Sequence, residues 1–354
     1  MNKPIIVTLA LLLLFFSCGK KETKKEIEFV SRDFTEVEIE TLIEDSTLNV
    51  RALEMIKGYD GAFFLASNGK GGMIDENGVL YPVKIDEDNE KLNFRSFAST
   101  ADAAFGMSIA SPAFLYKIGG DEISLVYQED HEKAFYDAMD FWNDEEGIAI
   151  GDPTEGCMSI IVTRDGGDTW EKLPCDMLPK AKDGEAAFAA SDTNIAIVGD
   201  KTWVATGGKA SRILFSPDKG HTWEVFETPI VQGLETTGMY SVDFYDELNG
   251  FAIGGDYTKP DDNASNKIRT KDGGKTWELV AQNQSPGYRS CVQYLPNGGA
   301  KELIAIGFKG VDYSNDGGST WKHLSDEGYY TIRFKNDSVA YAAGNKRVSK
   351  LTFK

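Results

Sequence analysis

Histidine is nearly absent from this 354-residue chain, which has three. His221 and His323 fall inside or just after a repeated motif, and only His131, in Glu129-Asp-His-Glu132, stands apart. A multi-histidine metal centre or a Ser-His-Asp triad is therefore not expected. Cysteine is almost as scarce, with four residues and no CxxC, CxxCH or Cys/His ligand spacing, so neither a metal site nor a haem attachment is indicated. No GxGxxG follows a strand-like run, which removes the dinucleotide fingerprint of an oxidoreductase, and no cofactor is expected. Positive charge is in deficit too, 37 Lys and Arg against 56 Asp and Glu, a formal net charge of −19. A surface of that sign repels nucleic acid and anionic membrane. The one long apolar run, Ile5 to Phe16, is too short to cross a bilayer as a stable helix.

That run follows Lys3 and reads as an export signal over residues 1–17. It ends in Phe15-Phe16-Ser17-Cys18-Gly19, which resembles a bacterial lipoprotein signal with Cys18 as the acylated residue; an ordinary cleaved secretory peptide is the alternative. Residues 18–26, with the Lys/Glu-rich Lys20 to Glu26, form a solvated tether, and 27–354 a single domain. Loss of Lys3 with the signal takes the formal charge from −19 to −20, so membrane attachment rests on the lipid alone. The expected location is the bacterial cell envelope, on the periplasmic face or the cell surface, and the expected state a monomer.

What the chain does have is one pattern four times over. Thr163-Arg-Asp165-Gly-Gly167-Asp-Thr169-Trp170 returns around Asp218 and Trp223, Asp272 and Trp277, and Asp316 and Trp321, always as [Ser/Thr]-x-Asp-x-Gly-x-Thr-Trp. The tryptophans are spaced 53, 54 and 44 residues apart, the length of a four-stranded propeller blade. Each copy reads as a hairpin in which Asp accepts backbone amides, the fifth-position Gly takes a positive φ, and Trp packs between blades. These are structural positions: the variable residues Arg164, Pro217, Lys271 and Asn315 share no chemistry. The motif is similar to the Asp-box (bacterial neuraminidase) repeat, and that resemblance implies an all-β propeller.

The strand grammar around the boxes repeats as Tyr136–Phe141, Gly147–Gly151, Met158–Thr163 and Trp170–Leu173, and again from Tyr240 to Val280 and from Arg289 to Leu324. In the intervening copy the expected inner strand is Ala186–Ala190, followed by Ile195–Val198 with Trp203–Thr206, Ile213–Ser216 and Trp223–Phe226. Box-free copies run from Val50 to Asp75 and from Phe94 to Tyr127. The last copy, from Tyr330, has three strands, and residues 27–43 are left to supply the fourth. The expectation is seven blades, closed by pairing the N-terminal strand with the last blade, which removes exposed sheet edges. Cys157 and Cys175 lie nine residues either side of Gly166, opposite one another on adjacent strands. They are either a cross-strand disulfide or two buried thiols; Cys291 reads as a core strand residue.

Inner strands begin on the face opposite the box turns, around the channel mouth. Equivalent starts are Arg51, Arg95, Tyr136, Glu185, Tyr240, Arg289 and Tyr330. Converging guanidiniums with tyrosines make a pocket for a carboxylate or phosphate. The competing reading pairs Arg51, Arg95 and Arg289 with acids such as Glu185, Asp152 or Asp256. Two long loops on that face, Asp152–Gly156 and Asp256–Asn263, carry carboxylates that serve as acid/base groups, coordinate Ca²⁺ or are simply solvated.

Two resemblances bear on function. The boxes and the arginine cluster resemble sialidases, although Val50-Arg51-Ala52-Leu53 lacks the Arg-Ile-Pro form of their first arginine and sialidases have six blades. The stretch Phe141-Trp-Asn-Asp-Glu-Glu-Gly-Ile-Ala-Ile-Gly-Asp-Pro153, with the first box after it, resembles exported Bacteroidetes propellers. Those in turn are similar to the photosystem II stability/assembly-factor propellers. That likeness implies a non-enzymatic binder with an arginine patch, an assembly or stability factor; the ring of inner-strand starts then offers Arg51, Arg95, Arg289, Tyr136, Tyr240 and Tyr330 to hold an envelope protein partner or an anionic small molecule or glycan. The alternative is a glycoside hydrolase, sialidase-like or polysaccharide-active, drawing on Glu185, Asp152, Tyr240 and Asp256.

Overall fold

The structure is a computed structural model that describes residues 29–56, 59, 61–85, 92–120 and 122–354. The export signal, Cys18 and the tether through Glu26 lie outside the described residues. The chain divides into Met1–Val30 and a compact unit, Ser31–Lys354.

Every regular element among the described residues is a β-strand, because apolar and β-branched residues recur in short runs broken by Gly, Asn and Asp turns. The first strand, β1 (Val37–Met55), is twice the ordinary length and serves two sheets. Its second half pairs with β2 (Ala62–Ala66), followed by β3 (Lys70–Ile74) and β4 (Leu80–Lys84). Next come β5 (Phe94–Ser99), β6 (Ala104–Ser108), β7 (Ala113–Gly119) and β8 (Glu122–Glu129), then β9 (Tyr136–Phe141), β10 (Gly147–Gly151), β11 (Ser159–Thr163) and β12 (Glu171–Lys172). After the two-residue β13 (Glu185–Ala186), the next sheet joins β14 (Ile195–Val198), β15 (Lys201–Ala205), β17 (Arg212–Ser216) and β18 (Glu224–Glu227). The interposed β16 (Gly207–Gly208) bridges β13 to β19 (Thr237–Phe244), which leads β20 (Gly250–Asp256), β21 (Lys267–Thr270) and β22 (Glu278–Leu279). Then follow β23 (Cys291–Tyr294), β24 (Leu303–Gly307), β25 (Gly310–Ser314) and β26 (Lys322–Ser325). The final strands, β27 (Thr331–Phe334), β28 (Val339–Ala343) and β29 (Asn345–Phe353), take the first half of β1 as their fourth member, with Val37 opposite Phe353. The first strands of these four-stranded groups touch in the order β1, β5, β9, β14, β19, β23, β27 and back to β1.

The four repeated turns act as buttons between neighbouring sheets. In the first, Asp165 Oδ1 accepts the Thr169 amide at 3.0 Å and Oδ2 its hydroxyl at 2.6 Å, while Thr163 Oγ1 accepts the Gly167 amide at 2.9 Å. Asp218, Asp272 and Asp316 repeat the pattern. Gly167 and Gly318, at φ 80° and 79°, lie so close to the rings of Phe105 and Phe251 in the preceding sheets that a Cβ would stand 2.2 and 2.1 Å from them. Trp170 meets the same Phe105 at 6.3 Å, and Trp277 meets Phe244 edge-on at 6.0 Å. Trp223 and Trp321 each donate their indole N–H to the Gly220 and Gly318 carbonyls of their own turns. Cys157 and Cys175 form a disulfide with Cα atoms 5.5 Å apart, beyond the paired ends of β11 and β12. Cys291 is buried on β23.

One segment departs from expectation. Residues 186–190 do not form an inner strand; β14 takes that role, and the chain before it runs along the axis. Arg95 donates to the Ala189 carbonyl and Arg51 to that of Ala190. Deeper down, Ser191 Oγ donates to the Ser290 carbonyl, and the two Asp192 oxygens accept the Phe97 and Met139 amides at 2.8 and 3.1 Å. Below that, the Thr193 carbonyl accepts the Val242 amide and Arg333 donates to the Asp192 carbonyl. The axial segment is thus bonded to strands from most of the other sheets. Apolar residues around a short polar stretch suit an axial plug as well as a strand, because both are buried.

Candidate ligand-binding site

Strand ends fix the site. Gly151, at the end of β10, pairs with Tyr136 at the start of β9, whereas Gly147 pairs with Thr163 at the box turn. Inner-strand starts and box turns therefore lie at opposite ends. At the former end is a cavity of about 470 Å³ whose wall includes Arg51, Arg95, Tyr240 and Tyr330, with Ala186–Ala190 beneath.

The two arginines are the unusual feature. Arg51 lies flat on Tyr330, 3.7 Å from the ring centre, and Arg95 donates to Asn93 Oδ1 at 3.1 Å and to the Ala189 carbonyl at 3.3 Å. Among the described residues neither makes an ion pair with a carboxylate, and Arg51 Nε has no hydrogen-bond partner. Burial, followed by the charge of Arg51, pulls Arg95 down to about 10, and burial also lowers Arg51. The charge of the buried Asp137 acts on Arg95 but no hydrogen bond joins them, so both guanidiniums keep N–H donors that an anion can take. Aromatic rings enclose the pair. Phe188 and Tyr240 stack at 3.9 Å and 5°, Tyr288 meets Tyr240 edge-on at 4.8 Å, and Tyr257 and Phe308 expose nearly half their surface.

Other expected members go elsewhere. Arg289 donates Nε to Asp312 Oδ2 at 2.6 Å and is neutralised there, away from the cavity. Tyr136 gives its hydroxyl to Glu129 at 2.7 Å, and burial, chiefly, drives its pKa far above the phenol range. Glu185 does not start an inner strand. It sits on β13 with a fully buried carboxylate that takes the Arg212 fork, Nε at 3.0 Å and an Nη at 2.5 Å, and the Thr206 hydroxyl at 2.7 Å. Glu185 and Tyr240, both candidates for a glycosidase, are accordingly not joined, since Tyr240 donates to the Thr236 carbonyl at 2.9 Å. Asp256 turns back onto its own loop, accepting the Thr258 amide and hydroxyl at 3.0 and 2.6 Å.

Asp152 remains at the cavity wall. One oxygen accepts the Ala187 amide at 2.8 Å, and burial pushes its pKa up to about 6. The sequence reading missed its neighbour Asp137, a fully buried carboxylate on β9 whose oxygens make no hydrogen bond. Burial, then the charge of Asp152, holds Asp137 well above the usual carboxylate range. Its place next to Tyr136 on an inner strand was the available signal, since alternate residues of such a strand face the axis. Phe188, Tyr257, Tyr288 and Phe308 were also missed; of these only Tyr257 stood in a loop already singled out.

No protein-family model matches the chain, and no curated protein does. Solved structures do. The protein described as YCF48 bound to D1 peptide matches with a TM-score of 0.65 at 15% identity, over 92% of this chain and 97% of its own. The WD40 repeats of RRP9 match at 0.63 and 9%, over 92% and 99%. The GH74 xyloglucanase from Xanthomonas campestris matches at 0.63 and 11%, over 89% of this chain but 53% of the enzyme. At these identities the likeness shows the fold, a β-propeller.

Proposed function

We propose that the chain is a non-enzymatic propeller that captures an anionic ligand, or an anionic group of a protein partner, at the mouth of its central channel. The observation that carries this reading is the Arg51–Arg95 pair, two neighbouring guanidiniums with no carboxylate partner among the described residues, set among aromatic rings. Desolvated guanidiniums with N–H donors left unbonded favour a planar anion that takes two of them at once. The four-stranded groups are read as seven blades of an Asp-box propeller of the exported Bacteroidetes type, with β1 closing the ring against β29. The propeller described as bound to D1 peptide lends support to a partner-binding role, including that of an assembly or stability factor. A lipid on Cys18 would hold it in the cell envelope.

Asp152 and Asp137 favour one second reading. Asp152 lines the cavity and the fully buried Asp137 lies near enough for their charges to interact, both with raised pKa; a glycosidase uses two carboxylates, one as acid and one as base. Binding of anionic glycans and envelope proteins by the mature chain, with hydrolysis followed on sialosides and polysaccharides, separates the two. Loss of binding in Arg51→Ala plus Arg95→Ala with no turnover is expected. Hydrolysis abolished by Asp152→Asn or Asp137→Asn would overturn the non-enzymatic reading.

A further inference from the structure

The mouth cavity does not end at its own walls. It shares Phe308 and Tyr330 with a second cavity of about 470 Å³, which continues past Gly328 to Asn345, Lys346 and Arg347. Across the mouth it shares Asp152 and Ala186 with a third, of about 540 Å³, which runs out to Lys133 and Lys182. The second lies beside β24, β27 and β29, the third beside β10 and β13. In the cyclic order of inner strands these are opposite sides of the axis. The three cavities adjoin in series, forming one trough across the face.

Charge follows the trough. Arg51 and Arg95 occupy the middle, exposed Lys346 one end and exposed Lys133 the other, and no ion pair to either lysine is found among the described residues. Glu235, Glu44, Asp183 and Asp152 line the same cavities, as does Glu185, which is paired with Arg212. On a protein of formal charge −19, four cations in one series with no carboxylate bonded to them among the described residues, and exposed Tyr257 and Phe308 rings beside them, are a local exception. The occupant is also constrained by what the trough lacks. Five amides of the inner strands β5, β9, β19 and β23 are already used: Phe97 and Met139 by Asp192, Val242 by Thr193, Val292 by Ser241, and Tyr294 by Asp243. An extended peptide would find these amides taken, and main-chain pairing with a strand edge is the mode that gives such peptides most of their affinity. A chain of rigid rings that stacks on Tyr257 and Phe308 and carries carboxylates at intervals needs no such edge.

Resting on the anion-binding reading of the mouth, we propose that this face binds a linear uronic-acid oligosaccharide, threaded across the channel with an internal carboxylate on Arg51 and Arg95 and flanking carboxylates on Lys133 and Lys346. The test is binding of the mature chain to galacturonic acid oligomers of different length. A long oligomer is expected to bind at least tenfold tighter than the dimer, and its carboxyl-reduced neutral form to lose that binding. Lys133→Gln plus Lys346→Gln, with unchanged thermal unfolding, should cost the long oligomer several-fold more than it costs the dimer. Equal affinity for long and short oligomers would overturn the trough while leaving the mouth pocket standing. Binding that survives Arg51→Ala plus Arg95→Ala would instead remove the pocket on which the trough depends. Tighter binding of a polyglutamate peptide than of the long oligomer would overturn the assignment to sugar acids.

Discussion

Arg51 lies against the face of Tyr330, 3.7 Å from its ring centre, and its guanidinium also holds the Ala190 carbonyl at 3.0 Å. Tyr330 opens the last sheet, Arg51 the first, and Ala190 belongs to the axial segment, so one cation ties three parts of the fold at the site of proposed binding. Arg95 stands near enough for the charge of Arg51 to lower its pKa, so the two cations repel one another.

This makes Arg95 a residue whose loss costs function more than stability. Arg95→Met should leave unfolding free energy within about 1 kcal/mol of the parent. Anion affinity should fall by about 10- to 100-fold, the range of one charged hydrogen bond. Sulfate should raise the melting temperature of the parent but not of the variant, because only a protein that binds it is stabilised. A variant that unfolds several kcal/mol more easily and still responds to sulfate would refute the assignment.

Arg289 is the contrasting case. Its guanidinium is 6% exposed and paired with Asp312, itself 2% exposed and also bonded to His323 Nδ1 at 3.0 Å. Arg289→Met leaves a buried carboxylate without its cation and should cost about 3–5 kcal/mol. Urea unfolding reads that loss, and anion binding at the mouth should be retained at temperatures where the variant is folded.

The different fates of these arginines show where the sequence stops being legible. Strand positions could be read because the Asp165-to-Trp170 pattern marks the same hairpin each time and the apolar runs fall at fixed offsets from it. Arg51, Arg95 and Arg289 hold matching places in that frame. Only a partner 23 residues further along, on the third strand of its sheet, turns Arg289 from a ligand group into a structural one. Glu185 was misplaced for a related reason. The run Ala186–Ala190 is apolar enough for a strand, and nothing local says that it lines an axis instead. The Arg212 that claims Glu185 lies on β17, beyond a bridge of two glycines that no periodicity announces.

The axial segment gives a third prediction. Asp192 is fully buried, adopts φ 59°, and satisfies two amides from different sheets. Asp192→Ala leaves both amides unpaired in the interior, at about 1–3 kcal/mol each. Denaturant unfolding of the variant should show a loss of at least about 2 kcal/mol, and a change below the error of extrapolation would mean that the plug is not holding the inner strands.

The disulfide gives a fourth. Closing 18 residues between Cys157 and Cys175 removes chain entropy from the unfolded state worth about 3 kcal/mol. Cys157→Ala plus Cys175→Ala should lower stability by that order, and added reductant should act on the parent and not on the double variant. Equal sensitivity of both proteins to reductant would mean that the bridge contributes nothing.

The last prediction concerns pH and comes from the far end of the channel. There Glu54, Asp140, Asp192 and Asp243 surround Arg333, which bonds to Glu54 at 3.2 Å and stands 3.8 Å from Asp192. Burial pushes Asp140 up to about 7 and Asp243 up to about 6, and it raises Glu54 and Asp192 as well. One arginine cannot offset four carboxylates, so the folded cluster retains protons that the unfolded chain releases near pH 4. Stability from this cluster is therefore complete below about pH 4 and declines as pH rises through the folded values, between about 4 and 7. The box aspartates work the other way. Although burial pushes Asp165, Asp218, Asp272 and Asp316 upward, their threonine hydroxyls and amides pull them below the usual range, and their contribution disappears in acid. The sum is a maximum in mildly acidic solution, with the protein more stable near pH 5 than near pH 8. Asp140→Asn removes the group that titrates closest to neutrality and should flatten the alkaline side of that curve. A melting temperature that climbs steadily from pH 5 to pH 8 in the parent would show that the cluster is fully ionised in the folded state and that Arg333 alone is enough to hold it.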